Sequence, residues 1–289
     1  MTVAITDSEF ARLKDYLSLQ CGIDVPPEKR YLFVTRLADC LESHGMRSFS
    51  ELHDRLTAGR DVGLHCRLIE AMTTNETSFF RDGHPFATLA REILPTLARR
   101  REEESRYTPP RLRIWCAGCS TGEEPYGVAM TVFDWLSLEK VFTPASVTIL
   151  ASDISRRALA TARRGAYTRK QLGDFPARQR MEYLRETGDR YVIHPDVRAM
   201  VYFAEVNLAK DFRQLGFFDV IFCRNVIIYF ALDLRRRILA RFHEMLNPGG
   251  VLLVGASESL YQLHDGFRHV HAGPTTYYVR DGDEAEATR

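Results

Sequence analysis

The stretch Arg111-Leu112-Arg113-Ile114-Trp115-Cys116-Ala117-Gly118-Cys119-Ser120-Thr121-Gly122-Glu123-Glu124-Pro125, followed by Val147-Thr148-Ile149-Leu150-Ala151-Ser152-Asp153, decides the fold. Its first part is a β-prone run that meets a turn of small residues. Glu123-Glu124-Pro125 then opens an amphipathic segment carrying Val128, Met130, Val132 and Phe133. A second apolar run ends at Ser152-Asp153. Strand, glycine turn, helix, strand and acid make one βαβ unit, and such a unit grips the adenosine half of a cofactor. Glycine lets backbone approach the ligand, and a carboxylate closing the second strand accepts hydrogen bonds from ribose hydroxyls.

The turn is not the dinucleotide fingerprint. It reads G-x-x-x-G, and two glutamates stand where a pyrophosphate needs bare amides at a helix N-terminus. Carboxylates there repel phosphate and suit a ligand carrying an ammonium and a sulfonium, which favours S-adenosylmethionine over NAD. A plain strand–turn–helix joint with Asp153 capping the next helix accounts for the same residues. Taken alone, the motif leaves the cofactor open.

The 289 residues have room for one large domain and a small one. With 45% hydrophobic and 27% charged residues the composition is that of an ordinary globular protein, and a net charge of +1 implies no strongly polyanionic partner. Met1–Asp7 lacks the basic and apolar regions of a signal peptide. No stretch is apolar enough over sufficient length to cross a bilayer, so no membrane insertion is expected. Six cysteines at unpatterned spacings point to reduced thiols, and the expected location is the cytoplasm.

Outward from the βαβ unit, residues 1–75 read as an all-helical domain. Thr6-x-x-Glu9 and Ser48-x-x-Glu51 are capping signals, Pro26-Pro27 opens a helix, and Gly22, Gly45 and Gly59 mark stops. Phe10, Leu13, Leu17, Leu32, Phe33, Leu37, Leu41, Leu52, Leu56, Val62, Leu68, Ile69 and Met72 are its core candidates. Lys29, Arg30 and Arg36 read as a solvated face or a docking face for an acidic partner. Residues 76–110 form an interdomain linker helix whose charge block, Arg99-Arg100-Arg101-Glu102-Glu103-Glu104, suits solvent, with Pro109-Pro110 closing it. Residues 111–280 make the cofactor domain. Within it, 165–203 breaks the strand–helix alternation and reads as a small β insertion pairing Tyr191-Val192-Ile193 with Met200-Val201-Tyr202-Phe203. Strands at 218–223 and 251–254 flank a helix over 231–246, Thr276–Val279 closes the sheet, and 281–289 is a tail. Strands alternating with helices imply an open, mostly parallel, doubly wound α/β sheet covered on both faces.

Further polar clusters fall where such a sheet gathers ligand contacts, beyond the strand ends: Asp153, Glu205-Val206-Asn207-Leu208 and Cys223-Arg224-Asn225. Another, Thr73-Thr74-Asn75-Glu76-Thr77-Ser78-Phe79-Phe80-Arg81, precedes the sheet. Together TTNETSFFR, AGCSTGEEPY, ASDIS, VNL, FDVIFCRNVIIYF and LNPGGVLLVGASE resemble the CheR family of chemotaxis receptor methyltransferases, in the same order from about residue 7 to 280. The resemblance implies a class I methyltransferase (Rossmann-like) domain with a small antiparallel β insertion, preceded by an all-α domain. It implies S-adenosylmethionine as donor, S-adenosylhomocysteine as product, and methyl esterification of glutamates on the cytoplasmic helical domain of a chemoreceptor by a monomeric enzyme.

Carried over by position, Asn75, Thr77 and Arg81 border the cofactor from the interdomain segment, with Gly118 in the turn. Glu124 meets its methionine or ribose portion, Glu123 being the competing assignment. Asp153 holds the ribose, Asn207 and Leu208 flank the adenine, and Arg224 with Asn225 line the floor. Arg81 and Tyr229 match the family's residues nearest the transferred methyl. The stretch 184–191 is short, with one glycine, unlike members that carry a glycine-rich extension for a receptor tethering peptide. This chain therefore resembles the tether-independent kind.

A glutamate, with a reference pKa near 4.3, is already an anionic nucleophile at neutral pH, so no general base is required. Three rivals compete. Cys116-x-x-Cys119 resembles a redox pair, although the adjacent glutamates oppose the thiolate. Residues 156–180 hold eight basic side chains and one acid, which suits nucleic acid, but Cys-Arg-Asn-Val is not the Asn/Asp-Pro-Pro-aromatic motif of base methylation. The third is a non-catalytic S-adenosylmethionine-binding signalling protein.

Overall fold

Side chains of β1 (Leu112–Ala117) alternate between two cores, as a strand buried on both faces requires. Leu112, Ile114 and Cys116 point into one apolar cluster, Trp115 and Ala117 into the other. The computed structural model describes residues 3–104 (of Glu104 the backbone alone), 110–139 and 141–281; Pro109 and the tail from 282 onward lie outside them.

Four helices come first: α1 (Asp7–Cys21), α2 (Tyr31–Ser43), α3 (Phe49–Thr57) and α4 (Val62–Met72). Thr6 and Glu9 form the reciprocal capping box, Ser48 caps α3, and Gly22 ends α1 in the left-handed region at φ 77°. Their apolar stripes make one core of Phe10, Leu13, Leu17, Phe33, Leu37, Phe49, Leu52, Leu64 and Leu68. Val62, expected inside, is exposed at the start of α4, and Leu32 is only partly buried. Arg30 and Arg36 do not present a free face. Arg30 reaches Asp7 and the Ile5 carbonyl, and Arg36 donates to the Met72 and Thr73 carbonyls at 3.1 and 3.3 Å.

The connecting segment is α5 (His84–Thr88), a π-helical turn (Leu89–Ile93) and α6 (Leu94–Glu104). It is packed rather than free. Phe86, Leu89, Ile93 and Leu97 are buried against the sheet, and Arg101 of the charge block reaches buried Asp219 at 2.5 Å. Then follow β1, α7 (Glu123–Leu136), β2 (Val147–Asp153), α8 (Arg156–Arg164), β3 (Ala166–Thr168), α9 (Arg169–Leu172), α10 (Ala177–Tyr183), β4 (Leu184–Thr187), β5 (Arg190–Ile193), α11 (Pro195–Ala199) and β6 (Val201–Glu205). The chain closes with β7 (Phe218–Cys223), α12 (Leu232–Met245), β8 (Leu246–Val254), β9 (Phe267–Ala272) and β10 (Thr275–Arg280).

Seven strands form the main sheet in the order β6-β2-β1-β7-β8-β10-β9, with β10 antiparallel to both its neighbours. The direction of travel reverses between β1 and β7, the switch point at which open α/β sheets bind ligands. A separate antiparallel sheet, β3-β5-β4, is the insertion. One expectation is corrected here: residues 201–203 do not pair with 191–193. They lie in β6, the parallel edge of the main sheet, with Ala151 opposite Phe203. An apolar run reads alike in either place, and β2 offers a longer parallel partner than the insertion's short strands. No helix of the described residues is long and apolar enough to cross a membrane.

Candidate active site

At the switch point, glycine geometry opens the backbone toward the cleft. Gly118 has φ +80°, and a Cβ there would lie 2.4 Å from Val226 Cγ2. Its N–H and that of Cys119 donate to the Ser152 carbonyl at 2.8 and 2.9 Å, tying the turn to the end of β2. Gly118→Ala must push Val226 away and hold a left-handed alanine, together on the order of 2–4 kcal/mol. The expected result is a lowered Tm and S-adenosylhomocysteine binding weakened by at least about tenfold in calorimetry.

Asp153 closes β2 as expected, and its carboxylate organises the turn. Oδ2 accepts from the Ser120 amide and Oδ1 from the Ser155 amide, both at 2.8 Å. Ser155, not Asp153, caps α8. Burial raises the Asp153 pKa, while these amide hydrogen bonds oppose the rise. The adjoining Ser155 hydroxyl and Arg157 amide donate to Glu70 of α4 at 2.7 and 2.9 Å, docking the helical domain beside the turn.

The two glutamates separate. Glu123 is buried and accepts from the Thr121 hydroxyl at 2.6 Å, away from the cleft; burial raises its pKa. Glu124 lines the cleft and pairs with Arg224 at 3.1 Å. Burial raises its pKa as well, opposed by Arg224. Arg224, with 2% of its side chain exposed, also grips Asp82 at 2.6 Å and the Arg81 carbonyl at 3.1 Å. It ties the interdomain segment to α7 and the end of β7.

One cleft gathers the expected cofactor-side residues other than Glu123. Asn75, Thr77, Arg81, Gly118, Glu124, Asp153, Asn207, Leu208, Arg224, Asn225 and Tyr229 all line it, and its volume is about 1170 Å³ including the open mouth. Asn207 is largely spoken for: its amide donates to the Gln20 carbonyl at 2.7 Å, and its Oδ1 accepts from the Ala209 amide at 2.9 Å. Cys21 and Ile23, at the end of α1, also line the cleft and were not legible as site residues. They arrive because Ile23 bridges to Phe230 and the Asp24 amide donates to the Tyr229 carbonyl at 2.9 Å, long-range contacts that no local motif announces. Cys116 and Cys119 are fully buried with pKa values raised far above the usual thiol range, which removes the redox reading. Half of the basic run is engaged locally, with Arg156 on Glu205, Arg163 on the Phe203 carbonyl, Arg164 on Thr161 and Arg178 on Glu182.

The donor set matches a cationic, adenosine-bearing ligand. Asp153 and Glu124 supply anionic acceptors, Asn225 Oδ1 is a buried acceptor with no partner, and Val206, Leu208 and Ile154 give an apolar slot. Residues 75–276 match the family described as CheR methyltransferase, SAM binding domain, and residues 8–73 its all-alpha domain. The chain belongs to the CheR methyltransferase family. It is 38% identical over 280 residues to chemotaxis protein methyltransferase 1 of Pseudomonas aeruginosa, covering 96% of this chain and 99% of that one. Chemotaxis protein methyltransferase 1 of Vibrio cholerae is 38% identical, covering 96% and 98%; the Escherichia coli chemotaxis protein methyltransferase is 36% identical, covering 92% and 89%. As a CheR methyltransferase the chain uses S-adenosylmethionine, and its fold is the expected all-α domain joined to a class I methyltransferase domain.

Proposed function

We propose that this enzyme esterifies glutamate side chains on the cytoplasmic helical domain of a chemoreceptor. The observation that carries this reading is the state of Arg81. Arg81 lines the cleft beside the donor site; among the described residues its guanidinium donates to the Glu76 carbonyl at 3.4 Å and has no carboxylate in ion-pair range, although its charge helps to lower the burial-raised pKa of Glu124. A free cation at the cleft is what an incoming carboxylate requires. The chemotaxis names of the relatives support a receptor as its source.

When bound, S-adenosylmethionine would supply a methyl activated on a sulfonium, the electron pair of the broken bond staying on sulphur as a neutral thioether. Asp153 and Glu124 would hold the donor by its hydroxyls and ammonium, Leu208 and Asn207 would border the adenine, and Asn75 and Thr77 would close the interdomain side. Asn225 offers its unpaired Oδ1. Arg81 orients the acceptor carboxylate for in-line approach and offsets its loss of water. Tyr229, which lines the cleft, would offer a hydroxyl or an aromatic face to the positive sulphur. The acceptor arrives ionised, so the cleft removes no proton.

The hairpin joining β4 to β5 turns through only Gly188 and Asp189, which supports a tether-independent enzyme. We read the protein as a cytoplasmic monomer. Incubation with methyl-labelled S-adenosylmethionine and receptor-bearing membranes tests the reaction class. Base-labile label on a receptor-sized band is expected; alkali-stable label, or label on RNA, would contradict the proposal.

A further inference from the structure

The turn after β7 satisfies only part of its own backbone: the Tyr229 and Phe230 amides donate to the Val226 and Ile227 carbonyls at 3.2 and 3.1 Å, and the amides before them look outside the turn. Asn225 sits in the left-handed region at φ 59°, and the chain then runs through a single 3₁₀ turn, Ile227–Tyr229, before Phe230. Irregular backbone beside a ligand cleft must find external partners for its polar groups. One residue supplies most of them. Glu258, 8% exposed, accepts at Oε2 from the Asn225 and Gly255 amides, each at 2.6 Å. Its Oε1 accepts from the Val226 amide at 3.0 Å and the Ile228 amide at 3.3 Å. Arg235 takes the other side, donating to the Phe230 carbonyl at 2.7 Å and the Ile228 carbonyl at 3.0 Å.

Glu258 stands behind the turn. It lines the neighbouring cavity with Tyr261 and His264, while Asn225, Val226, Ile228 and Tyr229 line the cofactor cleft. A carboxylate is the side chain suited to this place, because it has no donor of its own and gives short charge-assisted bonds to several amides. We propose that Glu258 is a positioning residue for methyl transfer: it holds the 225–229 turn from behind and so sets where Asn225 meets the donor and where Tyr229 meets the acceptor. The inference rests on the cleft being the donor and acceptor site proposed above.

Glu258→Gln is the decisive variant. It keeps the shape but turns an NH₂ against backbone N–H groups, so the turn must move off. We expect S-adenosylhomocysteine to bind at least about tenfold more weakly in calorimetry, at an unchanged stoichiometry of about one. The kcat for receptor methylation is expected to fall about 10²-fold, the penalty for a misplaced reacting geometry. The receptor KM should stay within about twofold, because Arg81 stands on a different segment. A merely structural residue would lower stoichiometry and amplitude, leaving Kd and kcat per binding site at parent values; that result overturns the proposal. Should Glu258→Gln fail to fold, Arg235→Met, which frees the carbonyl side of the turn, must shift Kd and kcat in the same direction. Parent values in Arg235→Met would then overturn it. Wild-type protein that makes no methyl ester would defeat the functional reading instead, and the Kd comparison distinguishes the two failures.

Discussion

Arg81→Ala is expected to lower kcat/KM for receptor methylation by about 10³-fold while leaving S-adenosylhomocysteine affinity within about fivefold. The asymmetry follows from where the side chain spends its charge. Among the described residues its guanidinium makes one hydrogen bond, to the Glu76 carbonyl at 3.4 Å, and that bond is weak, so truncation costs the fold little. The donor keeps Asp153, Glu124 and Asn225, all of which line the same cleft. The acceptor carboxylate loses the free cation that compensates its dehydration. Arg81→Lys should restore only part of the rate, because an ammonium lacks the planar fork that fixes both carboxylate oxygens. Steady-state rates on receptor membranes, with product binding by calorimetry, decide it. Activity near the parent level would remove Arg81 from the mechanism.

Arg224→Met carries the largest stability loss we expect. The guanidinium is almost wholly buried and balances Glu124 and Asp82. Asp82 is partly exposed and can recover solvent, so most of the cost falls on Glu124. Removing one partner of a buried pair leaves an uncompensated charge, at a cost of about 3–5 kcal/mol. For a chain of this size that lowers Tm by on the order of 10 °C. The pH dependence has a defined sign. Burial already raises the folded pKa of Glu124, and Arg224 opposes the rise. Without Arg224 the folded pKa rises further above the unfolded one. The folded state then binds its proton more tightly, and stability falls as pH climbs from the unfolded to the folded value. The deficit relative to the parent should therefore shrink on acidification. A deficit that is constant with pH would mean that Glu124 is not the group left unpaired.

The donor half of the site was legible because it is local. A strand, a G-x-x-x-G turn and an acid at the next strand end lie within one supersecondary unit, and the positive φ of Gly118 and Gly122 follows from that turn. The segments around Asn75, Asn207 and Arg224 were found through motif text, and the fold brings them to one cleft. Other features depend on long-range choices. An apolar run such as 201–203 pairs equally well on paper with the insertion or with β2, and only the packed sheet assigns it to β6. Arg36 read as a surface cation, yet it fastens the Met72 and Thr73 carbonyls and the Thr74 hydroxyl at the start of the interdomain segment. The two cysteines near the turn had redox spacing, and their burial decides against it. Glu258 ends the quoted LNPGGVLLVGASE stretch, yet nothing marked it as a site residue because its partners are backbone amides, which every residue carries.

Tandem mass spectrometry of receptor peptides after incubation with the enzyme and S-adenosylmethionine tests the central claim most directly. The account predicts one added methylene on a glutamate side chain, absent without enzyme and removed by mild base. The same added mass on a lysine, an arginine or a peptide terminus, surviving base, would contradict it.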